Sequence, residues 1–334
     1  MKVCVVGAGA IGGYMGVRIA EQGHDVSLIA RGPHLAAIQA NGLTLRQNGE
    51  ETCVKNVLAT NDMKECGVQD VVLLALKAHQ IAPVIDDLKT MLGPDTVIVA
   101  LQNGIPWWYF QGIPGEYENR IVETVDSGGV LASSIDYKKI IGCIAYPAAV
   151  IAEPGIIEHV EGDRFPVGEL DNSESDRVKM ISLLLTEAGF KSRVLTDIRS
   201  EIWLKLWGNL TFNPISALSH STLVDICQFP LTRELAATMM TEAQHIAERL
   251  GASFRVTLER RIEGAESVGK HKTSMLQDVE AGKPLEIDGM LGVVIELGQI
   301  TDVETPTLKA LYACVSLLNK KIQDDSVYIK EQNL

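Results

Sequence analysis

The chain has 334 residues, about twice the ~150 that are typical of one domain, so we expect one large or two medium domains. Hydrophobic residues make up 46% and charged residues 22% of the chain, which excludes a disordered, collagen-like or coiled-coil protein. The formal net charge of -13 argues against general affinity for nucleic acid or anionic membranes, because such partners repel an acidic surface.

The cysteines and histidines give no sign of a disulfide framework or a metal site. Six cysteines are scattered without a C-x-x-C pair, and none of the 7 histidines forms a pair with metal-ligand spacing. This usage is typical of reduced thiols in a cytoplasmic protein, and it predicts no bound metal. We interpret the cysteines as core residues. With no signal-peptide cleavage pattern and no run of about 20 apolar residues, the chain is expected to be soluble.

The first part of the chain alternates strand and helix patterns. Lys2 to Val6 is a short β-branched run, Ile11 to Gln22 has helical spacing, and Val26 to Ala30 has the pattern of a second buried strand. Further strands are predicted at 71–76, 97–101, 121–125, 140–145, 155–160, 165–170 and 191–195, with helices at 81–91 and 175–188. Continuous apolar strands that alternate with helices are typical of a covered parallel sheet.

After the last predicted strand, every strong segment has helical spacing. These predicted helices cover 201–212, 231–250, 274–281, 286–297 and 308–319. The sequence therefore predicts an α/β chain with an N-terminal parallel-sheet domain over residues 1–197 and an all-helical C-terminal domain over residues 198–330. Chains of this organisation commonly hold the active site in the cleft between the two domains.

The turn after the first strand reads Gly7-Ala8-Gly9-Ala10-Ile11-Gly12, which matches G-x-G-x-x-G. The first glycine permits the tight turn, the second lets the backbone approach a pyrophosphate, and the third packs helix on strand. The helix N-terminus adds free N–H groups. A purely structural glycine turn is the alternative. The position inside a strand-helix-strand unit favours a dinucleotide site in a Rossmann-type domain.

The end of the second strand indicates which dinucleotide binds. An Asp or Glu about 20 residues after the glycine motif would hold the ribose 2'-hydroxyl of NAD, but here the chain reads Leu28-Ile29-Ala30-Arg31-Gly32. The Arg31 guanidinium can pair a 2'-phosphate in fork geometry, which favours NADP(H). The alternative is a solvated surface arginine.

Polar residues also follow the third and fourth apolar strands. Lys77 and Gln80 come after the third strand, and Asn103 comes after the fourth. Ligands bind at the carboxyl ends of parallel strands, so these residues are candidates for cofactor or substrate contacts. Lys77 could instead simply end its strand, and Asn103 is the stronger candidate. Strand alternation predicts that Gln102 points away.

The segment from Glu201 to Pro214 is nearly all apolar except for one polar face. Lys205, Asn209 and Asn213 fall within a stripe of about 80° on the predicted helix. An ion pair between Glu201 and Lys205 would explain the lysine, but it leaves both asparagines unexplained. A lysine in an apolar setting can act as a general acid, and asparagines can orient a substrate without changing charge. We favour a substrate site on this helix.

Ser274 and Glu286 each open an apparent helix. On the residues alone, an N-cap role for Ser274 and a first-turn carboxylate role for Glu286 are the better interpretations.

Taken in order, these motifs resemble the 2-dehydropantoate 2-reductase (ketopantoate reductase) family over nearly the whole chain. The resemblance implies a Rossmann domain followed by a helical domain. It also implies NADPH-dependent reduction of a 2-oxo acid to a 2-hydroxy acid, most simply ketopantoate to pantoate in pantothenate biosynthesis.

The resemblance also assigns roles to the candidate residues. Lys205 would donate the proton to the keto oxygen, and Glu286 would support the site by bonding to substrate or cofactor hydroxyls. The substrate would be bound by Asn209, Asn213 and Ser274, together with Asn103 near the nicotinamide. The cofactor NADP(H) would be held by Gly7, Ala8, Gly9, Ala10, Ile11, Gly12, Arg31, Lys77, Gln80 and Asn103.

Three features depart from the family pattern. Leu223 and His271 stand where the family often has asparagine, and the stretch Pro106 to Phe110 is bulky and aromatic. A different branched or aromatic 2-oxo acid is therefore an alternative substrate, and a non-catalytic NADPH-sensing protein is an alternative function. The helical domain, with Gly289 and Gly292 permitting close helix contact, is compatible with a homodimer.

Overall fold

The computed structural model describes residues 1–325. The chain divides into two compact units. The first unit comprises Met1–Asn103, Trp107–Ile121 and Asp126–Ile198. The second comprises Gly104–Pro106, Val122–Val125 and the described residues from Arg199 onward. Two short segments therefore belong to the second unit although they precede the last strands of the first.

In chain order the described strands are β1 (Lys2–Val6), β2 (Asp25–Ile29), β3 (Leu43–Gln47), β4 (Glu50–Val54), β5 (Leu58–Thr60), β6 (Gln69–Leu74), β7 (Leu92–Ala100), β8 (Ile140–Cys143), β9 (Ala148–Glu153), β10 (Ile156–Glu161), β11 (Val167–Glu169) and β12 (Val194–Leu195). Eight of them form one sheet in the order β12-β11-β8-β7-β6-β1-β2-β5. Its pairs are parallel except for β8 with β11. This sheet confirms the predicted fold class.

The central strands of this sheet are fully buried. Every residue from Val3 to Val6 and from Val71 to Leu74 is 0% exposed. Such runs have no polar alternation, as expected for a parallel sheet between two helical layers. The helices of this unit are α1 (Ala10–Glu21), α2 (Gly32–Asn41), α3 (Ile85–Lys89), α4 (Val130–Ser134) and α5 (Asp176–Glu187).

A second sheet has the strand order β4-β3-β10-β9 and packs on α1. Ile157 of β10 lies against Gly13, where a Cβ atom would come within 2.9 Å of the isoleucine side chain. The sequence predicted only β10. The strand β4 is largely exposed and has no apolar run on which a prediction could depend. The strand β9 is also largely exposed, and its apolar run at residues 148–152 was not predicted as a strand.

Two predicted elements of the sheet domain are wrong. Residues 121–125 form no strand but a turn, in which the backbone N–H groups of Glu123 and Thr124 donate to the Glu296 carboxylate at 2.8 and 2.7 Å. The helix predicted at 81–91 is a 3-10 turn (Ala82–Val84) followed by the short α3. Pro83 lies in that turn, where it removes a backbone donor and restrains the residue before it.

All strong segments of the second unit are helical, as predicted. The helices are α6 (Ile198–Ser219), α7 (Leu223–Gln228), α8 (Pro230–Arg249), α9 (Leu258–Ser267), α10 (Ser274–Glu280), a π-helical turn (Asp288–Gly292), α11 (Val293–Ile300) and α12 (Pro306–Asp325). The helix expected from residue 286 begins only with the π turn. In residues 1–325, no helix combines the length and apolarity that crossing a bilayer requires.

The aromatic stretch belongs to the core of the first unit. Trp107, Trp108, Tyr109 and Phe110 are each at most 5% exposed, and a Cβ on Gly142 of β8 would lie 2.9 Å from the Trp108 ring. The Trp108 ring therefore packs against the sheet. The interpretation of the cysteines as core residues holds for Cys4, Cys143 and Cys227. It is wrong for the exposed Cys53 and Cys314, and Cys66 is only half-buried.

Candidate functional site

The glycine turn between β1 and α1 contains two glycines that the fold itself requires. Gly7 has φ +100, and a Cβ there would lie 2.9 Å from the Leu76 side chain. A Cβ on Gly12 would lie 2.1 Å from the Gly7 carbonyl oxygen. Since only glycine fits both positions, the turn can close tightly and α1 can approach the sheet.

Gly9 is different, because nothing in the fold requires a glycine there. Its φ of -75 is accessible to any residue, and no atom of the described residues lies within 4 Å of where its Cβ would be. Gly9 is the N-cap of α1, and no side chain caps that helix. The open space therefore faces free N–H groups at the positive end of a 12-residue helix, and a pyrophosphate fits such a site.

Arg31 follows β2 and stands at the N-cap of α2 with an extended backbone. Its side chain is exposed. The parallel register of β1 with β2 brings the ends of both strands to one edge of the sheet. Arg31 therefore lies at the same edge as the glycine turn, where a guanidinium is available to an anionic ligand.

The candidates after β6 and β7 lie at this edge too, since both strands are parallel to β1. Lys77 precedes a 3-10 turn (Ala78–Gln80), and its backbone N–H donates to the Gln80 side-chain oxygen at 3.2 Å. Gln80 thus also stabilises the local backbone. Asn103 is exposed, whereas the Gln102 amide turns back to donate to the Leu74 carbonyl at 2.7 Å.

Substituting Gly9 and Gly12 one at a time should separate an effect on the stability of the fold from an effect on NADPH binding. We expect Gly9→Ala to leave the Tm of the ligand-free protein within about 2 °C, because its Cβ meets no protein atom, but to fill the space left for a phosphate. At a ligand concentration of 100 Kd, binding stabilises a protein by about 2.7 kcal/mol. Differential scanning fluorimetry with NADPH should show that gain in the wild type and not in Gly9→Ala.

Gly12→Ala is the matched control, since its Cβ would meet the Gly7 carbonyl oxygen at 2.1 Å. This variant should lower the Tm before any ligand is added. An unchanged NADPH-induced shift in Gly9→Ala would contradict a phosphate site at this turn.

In the second unit, α6 carries the predicted polar stripe. Lys205 and Asn209 are half-buried, and Asn213 is 6% exposed. The rest of the helix is packed in the core, with Trp203 and Trp207 both 0% exposed. The stripe is therefore a polar face on a helix that is otherwise buried on most sides, as the sequence predicted.

Glu201, one turn before Lys205, has a partner of its own. Its two carboxylate oxygens accept from the Arg255 guanidinium at 2.5 and 3.0 Å, and the side chain is only 5% exposed. This bidentate pair gives Glu201 a structural role.

Ser274 is not the N-cap of α10, so that interpretation is corrected. Thr273 caps the helix, and its hydroxyl accepts from the Leu276 N–H at 3.3 Å. The Ser274 hydroxyl instead lies 3.5 Å from the amide nitrogen of Asn213, which in turn lies 3.8 Å from the Met290 sulfur. The structure thus brings Ser274 to the polar stripe of α6.

Glu286 is not a first-turn carboxylate either, because it precedes the π turn and lies in an irregular segment. Its neighbours Leu285 and Ile287 are 6% and 3% exposed, whereas Glu286 is half-buried. The two apolar residues anchor the segment. A favourable interaction with a helix dipole therefore does not explain the presence of a carboxylate at Glu286. Its role in binding stays a prediction.

The two departures from the family pattern are neighbours in the structure. The backbone N–H of Leu223 donates to the His271 carbonyl at 3.1 Å, and that of Val224 donates to the Gly269 carbonyl at 3.2 Å. These bonds hold the segment that leads into Ser274. Changes at Leu223 and His271 therefore act on one local region of the second unit. Residues 1–325 contain no cluster of three or more His, Cys, Asp or Glu that could hold a metal ion.

Comparison with known proteins matches both units. The family described as ketopantoate reductase PanE/ApbA matches residues 3–172, and its C-terminal domain matches residues 197–319. The chain is 50% identical to the 2-dehydropantoate 2-reductase of Mesorhizobium japonicum over 319 residues, which cover 95% of this chain and 98% of the relative.

Solved structures share the fold over the same length. A Ralstonia solanacearum structure, provisionally assigned as a ketopantoate reductase, is 36% identical with a TM-score of 0.92, covering 96% of this chain and 98% of its own. A D-mandelate dehydrogenase bound to NADH and anilino(oxo)acetate is 21% identical with a TM-score of 0.83, covering 97% of this chain and 100% of its own. At that identity, the second likeness concerns the fold alone.

Proposed function

Because this chain belongs to the ketopantoate reductase family, we propose that it reduces 2-dehydropantoate (ketopantoate) to pantoate with NADPH, as a step of pantothenate biosynthesis. The observation that carries the proposal is the polar face of α6, where Asn213 and Ser274 meet on the same helix face as Lys205 and Asn209. This face combines an ammonium with neutral hydrogen-bonding groups, which are the groups that binding and reduction of a 2-oxo acid require.

The first unit would bind the cofactor at one sheet edge. The glycine turn from Gly7 to Gly12 would hold the pyrophosphate, and Arg31 would hold the 2'-phosphate that distinguishes NADPH from NADH. Lys77, Gln80 and Asn103 would contact the remaining groups, with Asn103 near the nicotinamide. When bound, NADPH supplies the hydride that reduces the keto carbon.

The second unit would bind and protonate the substrate. Reduction builds negative charge on the keto oxygen, and the Lys205 ammonium both stabilises that charge and donates the proton. Asn209, Asn213 and Ser274 would orient the 2-oxo acid through neutral hydrogen bonds. Glu286 would accept hydrogen bonds from substrate or cofactor hydroxyls.

The first test is to mix the purified protein with NADPH and ketopantoate and to follow the loss of absorbance at the nicotinamide band. NADH and a panel of other 2-oxo acids run in parallel wells. We expect rapid turnover of ketopantoate with a preference for NADPH. Tight binding of NADPH without turnover of any 2-oxo acid would favour the NADPH-sensing alternative.

A second candidate substrate is another branched or aromatic 2-oxo acid. It is favoured by Leu223 and His271, whose adjacency means that both departures affect one region next to Ser274. The aromatic stretch no longer supports this alternative, because its rings are packed in the core of the first unit. Faster turnover of an aromatic 2-oxo acid than of ketopantoate in the panel would select the second candidate.

Removing the Arg31 guanidinium should weaken NADPH binding selectively. Charge-assisted hydrogen bonds contribute about 1.5–3 kcal/mol, so Arg31→Ala should raise the KM for NADPH about 10- to 100-fold while changing that for NADH less than threefold. Arg46→Ala is the control, because Arg46 is a half-buried arginine of the first unit that pairs with Glu51. Equal losses for both cofactors would contradict recognition of the 2'-phosphate.

The acidic composition and the scattered cysteines support a cytoplasmic location. A homodimer remains a prediction from the sequence, and light scattering of the purified protein would test it.

A further inference from the structure

His34, a residue that the sequence analysis did not select, connects the glycine turn to the second sheet. It lies on α2, three residues after Arg31, and is half-buried. One ring nitrogen, Nε2, lies 2.9 Å from the carbonyl oxygen of Ala8. The other, Nδ1, accepts from the backbone N–H of Gly155 at 3.0 Å. The side chain therefore bridges two backbone segments that are far apart in the sequence.

These two bonds define the protonation state of the ring. Since the Gly155 N–H is a donor, Nδ1 must be unprotonated, and Nε2 carries the proton that goes to the Ala8 carbonyl. The ring is thus the neutral Nε2–H tautomer. Burial lowers the pKa of His34 below its ordinary value, so the neutral form persists at physiological pH.

Both ends of this bridge are fixed. The N–H of Ala8 donates to the Ile29 carbonyl of β2 at 2.8 Å, so the Ala8 backbone is held on both sides. Gly155 has φ +82 in the turn between β9 and β10, and its carbonyl accepts from the Thr44 N–H at 2.9 Å. His34 therefore ties the glycine turn to a point anchored in the second sheet.

The bond to Ala8 controls a peptide group at the proposed phosphate site. The Ala8 carbonyl and the Gly9 N–H belong to one planar trans peptide, in which the two groups point in opposite directions. Holding the carbonyl on His34 therefore directs the Gly9 N–H away from His34, within the same peptide plane. Gly9 is the residue whose Cβ position meets no described atom.

We propose that His34 is a positioning residue for NADPH, which locks the Ala8–Gly9 peptide so that the Gly9 N–H donates to the pyrophosphate. The inference deepens the function proposed above and rests on its NADPH dependence. His34 makes no contact with the cofactor in this scheme. Its effect passes entirely through the orientation of one peptide group.

The test compares His34→Ala, His34→Gln and the control His24→Ala in the full-length enzyme. Loss of one net hydrogen bond of about 1–2 kcal/mol corresponds to a change of about 5- to 30-fold in the Kd for NADPH. We expect that increase for His34→Ala, with kcat at saturating NADPH within twofold of the wild type. Glutamine offers a donor and an acceptor on one amide, so His34→Gln should restore the Kd to within threefold. His24, which is half-buried before β2 and lies 3.4 Å from the Met1 amino group rather than at the glycine turn, should have no effect.

The tautomer of His34 can also be measured directly in the wild-type protein, so this second test does not require that a variant folds. Nitrogen-15 NMR of histidine-labelled wild-type protein should show His34 as the Nε2–H tautomer, with and without NADPH. A protonated Nδ1 would overturn the inference, and so would equal NADPH affinity in His34→Ala and the wild type. Equal weakening in the alanine and glutamine variants, with a lowered Tm, would assign His34 a structural role only. Failure of the wild type to bind NADPH would instead overturn the proposed function and this inference with it.

Discussion

Replacing Lys205 with alanine is expected to lower kcat for reduction of the 2-oxo acid by about 10²- to 10⁴-fold, the range typical of a lost general acid. The reason is that the keto oxygen would gain negative charge on a half-buried helix face with no ammonium to stabilise or protonate it. The KM for NADPH should change less than threefold, since the cofactor groups belong to the first unit. Steady-state kinetics with both substrates varied would measure this separation.

Two controls make the Lys205 result specific. Lys205→Arg keeps the positive charge but cannot release a proton near neutral pH, so it should recover less than a tenth of the lost activity. Lys179→Ala, on the exposed side of α5, should leave kcat unchanged. If Lys205→Ala retained more than a tenth of wild-type kcat with an unchanged Tm, another group would have to be the proton donor. Turnover in the wild type that collapses in this variant would exclude the NADPH-sensing alternative.

The central sheet could be predicted from the sequence because its strands are buried on both faces. Val71 to Leu74 forms an uninterrupted apolar run, and the glycine motif follows β1 at once. Both signals are local, since a few adjacent residues carry them. In the second sheet only β10 was predicted. The exposed β4 reads Glu50-Glu51-Thr52-Cys53-Val54, which gives no such signal, because its stability depends on pairing with β3.

In the candidate site too, features carried by neighbouring residues could be predicted from the sequence, whereas contacts between distant residues could not. The four-residue spacing of Lys205, Asn209 and Asn213 is visible in the sequence, and the structure places all three on α6. The meeting of Asn213 with Ser274 is a contact across 61 positions, which periodicity cannot reveal. The N-cap role expected for Ser274 belongs to the adjacent Thr273, and only the structure shows which of the two hydroxyls caps the helix.

His34 escaped prediction for a related reason. Its partners, Ala8 and Gly155, lie 26 and 121 positions away, and both contribute backbone atoms rather than side chains. A backbone partner leaves no residue-type signal, so no motif search would have joined the three positions. The cue that the sequence does offer is a single histidine in the first turn of a helix that follows a nucleotide-binding strand, and that cue is weak without coordinates.

The other large expected effect is on stability, at Gly104. This glycine follows Asn103 and has φ +81, and a Cβ there would lie 1.7 Å from the carbonyl oxygen of Gly289. The same oxygen accepts from the Ile105 N–H at 3.2 Å, so the chain cannot move away without losing that bond. Backbone strain of about 1–3 kcal/mol and overpacking of about 1–3 kcal/mol should together lower the free energy of unfolding by about 2–6 kcal/mol in Gly104→Ala.

Gly251→Ala is the control that has the same left-handed backbone conformation as Gly104→Ala but lacks the close contact with Gly289. Gly251 has φ +82 in the same unit, but no described atom lies within 4 Å of its Cβ position. Alanine there should cost only the strain of the left-handed conformation, about 1–2 kcal/mol. Urea unfolding followed by circular dichroism, under identical conditions, compares the two midpoints. Coinciding midpoints would show that the segment after Asn103 can move off Gly289, whereas a clearly lower midpoint for Gly104→Ala means that this contact fixes its position.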